Sequence, residues 1–279
     1  MKKIGFVDYY LSEWHANNYP EFIANACKAL GVEYKVAYAW AELDKSPLDN
    51  VTTAEWCEKY GAEKCDTLEE LCEKSDFIVI LAPSDPETHI RYAKTALKYG
   101  KRTFIDKTFT TDYKTALEIF DIAEKNNTPF FSTSALRYAE ELDALDSPEK
   151  MIIMCSGLNL PEYMVHMAEL VVKKLGIGIK QVSAEVVGNQ SVMTVNYTDG
   201  KFATMIYGEN IPYTLYMADG ENEIWKIVES DFFDGMIKDI LTFFETGNVS
   251  FDTEQTKEVM RLCEMALKAV EAPKTTVTL

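Results

Sequence analysis

Lys107 directly follows a short apolar and β-branched run at residues 103–106, so a parallel strand would deliver its ammonium to the sheet edge where ligands bind. There it could orient and polarise a substrate oxygen, although a solvated loop lysine would have the same local sequence. His166 lies in Pro161-Glu162-Tyr163-Met164-Val165-His166-Met167-Ala168-Glu169. Helical spacing puts Glu162, His166 and Glu169 on one face, with Met164, Ala168, Val171 and Leu175 on another. Flanking carboxylates would raise the imidazole pKa and orient the ring, which suits a general base taking a hydroxyl proton near neutral pH. The plainer alternative is the polar outer face of an amphipathic helix. Pro83 to His89 follow another apolar run, and His89 in the first turn of the next helix could touch a ligand. A histidine placed there more often packs and hydrogen-bonds between helix and loop.

The elements that must position these residues alternate from the start of the chain. Strand-like runs at 4–7, 34–39, 77–82, 103–106 and 129–132 are separated by helical patterns at 20–30, 68–73, 87–99 and 113–126. That rhythm predicts parallel strands joined by crossover helices, an α/β doubly wound sheet. Gly100 is placed to stop the helix that precedes it. Beyond residue 135 the pattern becomes strands at 151–155, 182–187, 191–197, 202–207, 213–217 and 223–228, with Asp-Gly turns at 199–200 and 219–220. One helix at 162–175 precedes these turns and two, at 234–245 and 254–272, follow the strands. The reading is an N-terminal Rossmann-like domain over 1–134 and a C-terminal α+β domain with an open antiparallel sheet over 135–279, with the cleft between them as the natural ligand site.

The chain of 279 residues carries a formal net charge of −17, which argues against a partner bound through its phosphates, nucleic acid included. With 47% hydrophobic and 26% charged residues, it has the balance of an ordinary globular protein. No apolar run has the form of a signal peptide or reaches the ~20 residues of a membrane span. Six cysteines without a CxxC pair point to thiols in a reducing cytosol rather than to a metal site, so a cytoplasmic protein with no bound metal is expected.

Three stretches together carry a family resemblance. Residues 96–108, Ala-Leu-Lys-Tyr-Gly-Lys-Arg-Thr-Phe-Ile-Asp-Lys-Thr, resemble the segment AL-x-x-GKHV-x-x-EKP of the Gfo/Idh/MocA oxidoreductases, with Asp106 for Glu, Thr108 for Pro and Lys107 retained. Glu162 to Glu169 resemble that family's D-x-G-x-H-x-x-D segment, with Glu for each Asp and Met164 for Gly, and Arg137-Tyr138 stand where the family has an Arg-aromatic pair. Residues 243–247 and 251–269 are similar to its ending. The resemblance implies a Rossmann domain that holds NAD and a second domain that holds a sugar, polyol or related hydroxy compound, on which the chain would act as an NAD-dependent oxidoreductase or a redox-assisted lyase. His166 would take the hydroxyl proton, Lys107 would orient the oxygen, and Glu162, Glu169, Arg137 and Tyr138 would bind substrate. Asp8, Tyr10, Trp40, Pro83, His89 and Asp106 would border the cofactor.

The chain departs from the family after its first strand. Asp8-Tyr9-Tyr10-Leu11-Ser12-Glu13-Trp14-His15 replaces the fingerprint G-x-G-x-x-G, and Gly5 lies inside the strand. Asp8 and Glu13 stand where a pyrophosphate needs N–H groups and a positive helix end. Trp14, His15 and the Tyr9-Tyr10 pair would form a new pocket or pack as core. Trp40 stands near the usual place of the ribose-binding acid, with Glu42 the nearest carboxylate, and no arginine follows to take a 2′-phosphate, so NAD is expected over NADP. The competing reading is a relative that has lost the dinucleotide and serves as a carbohydrate-binding or regulatory protein, or as a cofactor-free acid–base enzyme. A third is purely structural, with the second-domain sheet as an oligomer interface and the cleft vestigial. Separately, an exposed face of the antiparallel sheet, with Val195, Met205 and Tyr207 among its strands, suggests a homodimer.

Overall fold

The computed structural model describes residues 1–279, which divide into two compact units: Met1–Thr133 with Met236–Ser250, and Ser134–Gly235 with Phe251–Leu279. In the first unit the elements run β1 (Lys2–Asp8), α1 (Trp14–Leu30), β2 (Tyr34–Ala41), α2 (Thr53–Tyr60), β3 (Glu63–Lys64), α3 (Leu68–Lys74), β4 (Phe77–Ile80), α4 (His89–Ala96), β5 (Thr103–Ile105), α5 (Tyr113–Lys125) and β6 (Phe130–Phe131). The six strands are all parallel, in the order β3-β2-β1-β4-β5-β6, which is the doubly wound sheet that the alternation predicted. Parallel strands covered on both faces are apolar throughout, and Ile4, Phe6, Val7, Ile78, Ile80, Phe104 and Ile105 are fully buried. Gly5 serves packing, since a Cβ there would lie 2.2 Å from Ser75 Oγ and 2.7 Å from Leu71 Cδ2.

Helix α1 starts six residues earlier than the sequence pattern suggested. Pro20 reads like a first-turn proline, yet the helix begins at Trp14 and carries Pro20 inside it, because the Glu13 carboxylate caps its first N–H groups. Helix α2 has a Thr52/Glu55 capping box, and neither α2 nor β3 stood out by periodicity.

The second unit contains β7 (Lys150–Cys155), α6 (Leu160–Leu175), β8 (Ile179–Val187), β9 (Gln190–Tyr197), β10 (Phe202–Tyr207), β11 (Thr214–Ala218) and β12 (Glu223–Ile227). Helix α7 (Phe232–Thr246) begins there, and α8 (Glu254–Glu271) and β13 (Thr276–Val277) complete it. The sheet order is β12-β11-β7-β10-β9-β8-β13. The sheet is mixed rather than purely antiparallel, because β7 and β10 pair in parallel. Both Asp-Gly hairpins form, with Gly200 at φ +93° and Gly220 at φ +95° supplying the left-handed step.

Val195, Met205 and Tyr207 do not lie on an exposed face. They are 0%, 0% and 9% exposed, on the side of the sheet that α6 and α8 cover. The alternation is as expected, but the apolar set points inward, and Ile152, Met154 and Ile206 on the other face are half-buried.

From Met236 onward, α7 belongs to the first unit, so that unit is not the continuous stretch that chain order implied. Its apolar residues explain this, with Phe244 stacked on Phe77 at 4.7 Å between ring centroids and Phe243 edge-on to Phe131 at 5.0 Å. All six cysteines are free and buried, and burial pushes the Cys57 thiol up to about 11.

Candidate functional site

In the first unit, the carboxyl ends of β1, β4 and β5 bring Asp8, Pro83, Asp106 and Lys107 to one sheet edge. Asp8 is 1% exposed, and its Oδ1 accepts from the backbone N–H groups of Tyr9 (2.7 Å) and Ala82 (3.0 Å) while its Oδ2 has no hydrogen bond. Burial first, and then the negative charge of Glu13, push the Asp8 carboxyl well above the usual carboxylate range. Glu13 accepts from His15 N at 2.8 Å and also from Ala16 N, so the positive end of α1 already holds an anion. His15 bridges two acids, with Nδ1 3.1 Å from Glu13 Oε2 and Nε2 3.6 Å from Asp106 Oδ2. The Tyr19 hydroxyl donates to Asp106 Oδ1 at 3.3 Å, and Asp106 Oδ2 is a second buried oxygen without a hydrogen bond.

Lys107 is 9% exposed, and its Nζ donates to the Pro83 carbonyl at 3.4 Å, a long contact. His89 is 0% exposed and has both ring nitrogens against backbone carbonyls, Nδ1 2.9 Å from Phe109 O and Nε2 2.6 Å from Leu81 O. It is fully buried and ties the end of β4 to the loop after Lys107. Burial lowers its pKa, opposed by the two carbonyls. Trp40 stands at the end of β2, edge-on to Tyr92 with centroids 5.6 Å apart. Glu42, the nearest acid for a ribose, is held by Arg91 Nη2 at 2.5 Å and the Tyr92 hydroxyl at 2.8 Å. Tyr10 is half-buried, 6.1 Å from the Tyr9 ring.

In the second unit, α6 carries Glu162, His166 and Glu169, started by the Asn159 cap and Pro161 in its first turn. His166 Nδ1 lies 2.7 Å from Ser134 Oγ, with the Tyr163 and Tyr213 rings edge-on at 5.4 and 6.1 Å. Ser134 is 0% exposed and also accepts from Leu136 N at 3.3 Å, so a buried hydroxyl that sequence reading had not singled out fixes the imidazole. Glu169, expected beside the imidazole, forms an ion pair with Arg137 Nη1 at 2.8 Å, and both residues are at most 6% exposed as side chains. Arg137 also bonds Gln255 through Nη2 and lies 3.8 Å over the Phe251 ring, so Arg137 and Glu169 join the start of this unit to α6 and α8. Tyr138 abuts Gly235, where a Cβ would come within 2.8 Å of the tyrosine Cβ. Glu162 is half-buried in the first turn of α6, bonded by Asn159 Nδ2 at 3.1 Å.

The fold is that of a Rossmann-type α/β chain, with a lysine at the carboxyl edge of its parallel sheet. The chain resembles the Gfo/Idh/MocA oxidoreductases, whose family model, described as an oxidoreductase family with an NAD-binding Rossmann fold, matches residues 27–134. No curated protein matches by sequence. Among solved structures, a probable dehydrogenase from Thermotoga maritima superposes with a TM-score of 0.81 at 14% identity, over 99% of this chain and 98% of that one. UDP-N-acetylglucosamine 3-dehydrogenase from Acidithiobacillus ferrooxidans gives 0.76 at 15% identity, over 97% of this chain and 98% of its own. A myo-inositol dehydrogenase from Corynebacterium glutamicum gives 0.77 at 13%, over 100% of this chain and 99% of its own. At these identities the likeness is one of fold. No helix is long and apolar enough to cross a membrane.

NAD is the cofactor that the matched family implies. Its pyrophosphate does not fit the end of α1 as the chain stands, because the N–H groups of His15 and Ala16 are taken by Glu13 and two further buried acids surround them. The matched segment begins at Cys27, after this loop.

Proposed function

We propose that the chain is an oxidoreductase acting on a sugar, polyol or related hydroxy compound, with His166 taking the hydroxyl proton and Lys107 orienting the same oxygen. The observation that carries this reading is the Ser134–His166 hydrogen bond at 2.7 Å. When Nδ1–H donates to Ser134 Oγ, the basic lone pair is on Nε2, the tautomer that a proton acceptor requires. Lys107 supports the reading by its place at the end of β5, with only a long 3.4 Å contact engaging its ammonium. Glu162, in the turn before His166, binds a neighbouring hydroxyl. Arg137 and Glu169 hold the helix that carries the imidazole and act as positioning residues. The proton step rests on this chain's own residues, and NAD, the cofactor of the matched family, would have to expel the Glu13 carboxylate from the end of α1 to serve as hydride acceptor.

The test is NAD reduction across a panel of inositols, hexoses and nucleotide sugars. His166→Ala and Lys107→Ala are each expected to lower kcat/KM by about 10²- to 10⁴-fold. A chain that oxidises nothing in the panel, or whose turnover survives His166→Ala, overturns the reading. The Glu13 carboxylate on α1 favours a second one, a relative that has lost the dinucleotide and binds carbohydrate or performs cofactor-free acid–base chemistry. Saturable sugar binding with no NAD binding would establish that second reading.

A further inference from the structure

In the first unit, the strand order places β1 at the centre of the parallel sheet, and the chain passes from Asp8 at its end into α1. This is the position where a Rossmann-type sheet offers helix N–H groups to a pyrophosphate. Here those donors point at Glu13, whose carboxylate accepts from His15 N at 2.8 Å and from Ala16 N. Glu13 is 7% exposed and also lies 3.1 Å from His15 Nδ1, so three donors of this chain converge on one internal anion. Asp8 and Asp106, each 1% exposed, add carboxylates whose Oδ2 atoms have no hydrogen bond. A second anion brought to this helix end would have to displace the Glu13 carboxylate and enter beside two further buried acids.

We propose that Glu13 is a built-in substitute for the pyrophosphate, and that displacement of its carboxylate sets how well this chain binds a dinucleotide. The inference rests on the NAD reading above. It makes Glu13 a specificity-determining residue: the side chain that starts α1 is also the one that competes with the phosphates. The same anion discriminates against any ligand bound only through a diphosphate, and favours one whose remaining groups bind strongly enough to expel it.

Calorimetric titration with NAD and with ADP-ribose tests this on the whole chain. Glu13→Gly frees both backbone donors and removes the charge, and glycine is a tolerable helix cap. Glu13→Asp keeps a carboxylate at the same helix end. The expected result is at least tenfold tighter binding of both probes to Glu13→Gly than to the unaltered chain, with Glu13→Asp remaining close to the latter. If Glu13→Gly does not unfold cooperatively, Glu13→Ser, a strong neutral cap, takes its place with the same expectation. Equal, tight binding to all variants overturns the proposal and leaves the NAD reading standing. Binding to none of them overturns both. With only three histidines in the chain, the His15 ring signal in NMR gives a second readout, since it must move as NAD saturates the unaltered protein if Glu13 is displaced.

Discussion

Buried carboxylates occur in both units, in opposite company. In the second, Glu169 meets the Arg137 guanidinium at 2.8 Å, and Gln255 and the Phe251 ring complete the surroundings of that cation. In the first, Asp8, Glu13 and Asp106 crowd the sheet edge, His15 lies between Glu13 and Asp106, and two of the carboxylate oxygens have no hydrogen bond. A paired buried charge is strongly destabilising to break, whereas burial without a cation drives the Asp8 carboxyl toward its neutral form. The first arrangement is what a scaffold needs. The second is a standing cost at the edge where Rossmann-type sheets bind ligands, and such costs collect at functional sites.

The largest expected effect comes from breaking the well-paired cluster. Arg137→Ala leaves Glu169 buried without its guanidinium and should lower stability in denaturant by about 3–5 kcal/mol. Replacing both residues with methionine should cost much less, because no charge is left behind. A loss below about 1 kcal/mol for the single change would show that Glu169 finds other compensation and would remove the contrast between the units.

Asp8→Asn should act in the other direction. Because burial raises the Asp8 pKa from its ordinary 3.8, the native chain holds a proton there that the unfolded chain releases as pH rises. The stability contributed by this group is therefore present at low pH and is lost as pH climbs from the ordinary carboxylate range toward the raised folded value. Asparagine keeps an oxygen for Tyr9 N and Ala82 N without a charge to bury. The variant should exceed the parent by about 1–3 kcal/mol at pH 7 and approach it near pH 4. Parallel stability curves across that range would mean that Asp8 is not paying for its burial.

The contrast also marks what could be read from sequence. Parallel strands were visible because residues 4–7, 77–80 and 103–105 are short apolar and β-branched runs without a charge, and hairpins because Asp-Gly has few other uses. Lys107 and His166 were found through their place after a strand and on a helix. The Arg137–Glu169 pair was not, since 32 residues separate its members and each was read as meeting a substrate. Ser134 gave no signal because one serine beside a strand end resembles any other. The sequence did show that acids replaced the glycine loop, but that Glu13 starts α1 was hidden by Pro20, which imitates a first-turn residue six positions too late.

The smallest effect separates the acids of the first unit from one another. The Tyr19 hydroxyl reaches Asp106 Oδ1 at a long 3.3 Å, and burial followed by the charge of Asp106 raises the phenol well above its ordinary pKa, so it remains a donor throughout any assay near neutrality. Tyr19→Phe removes that donor and keeps the ring packed against Phe22 at 6.3 Å and His15 at 5.5 Å. Such a long hydrogen bond should be worth less than about 1 kcal/mol in thermal or denaturant unfolding. If the loss instead approaches that of Arg137→Ala, Asp106 depends on Tyr19 as Glu169 does on Arg137, and the acids of the sheet edge form a satisfied structural network rather than a strained one.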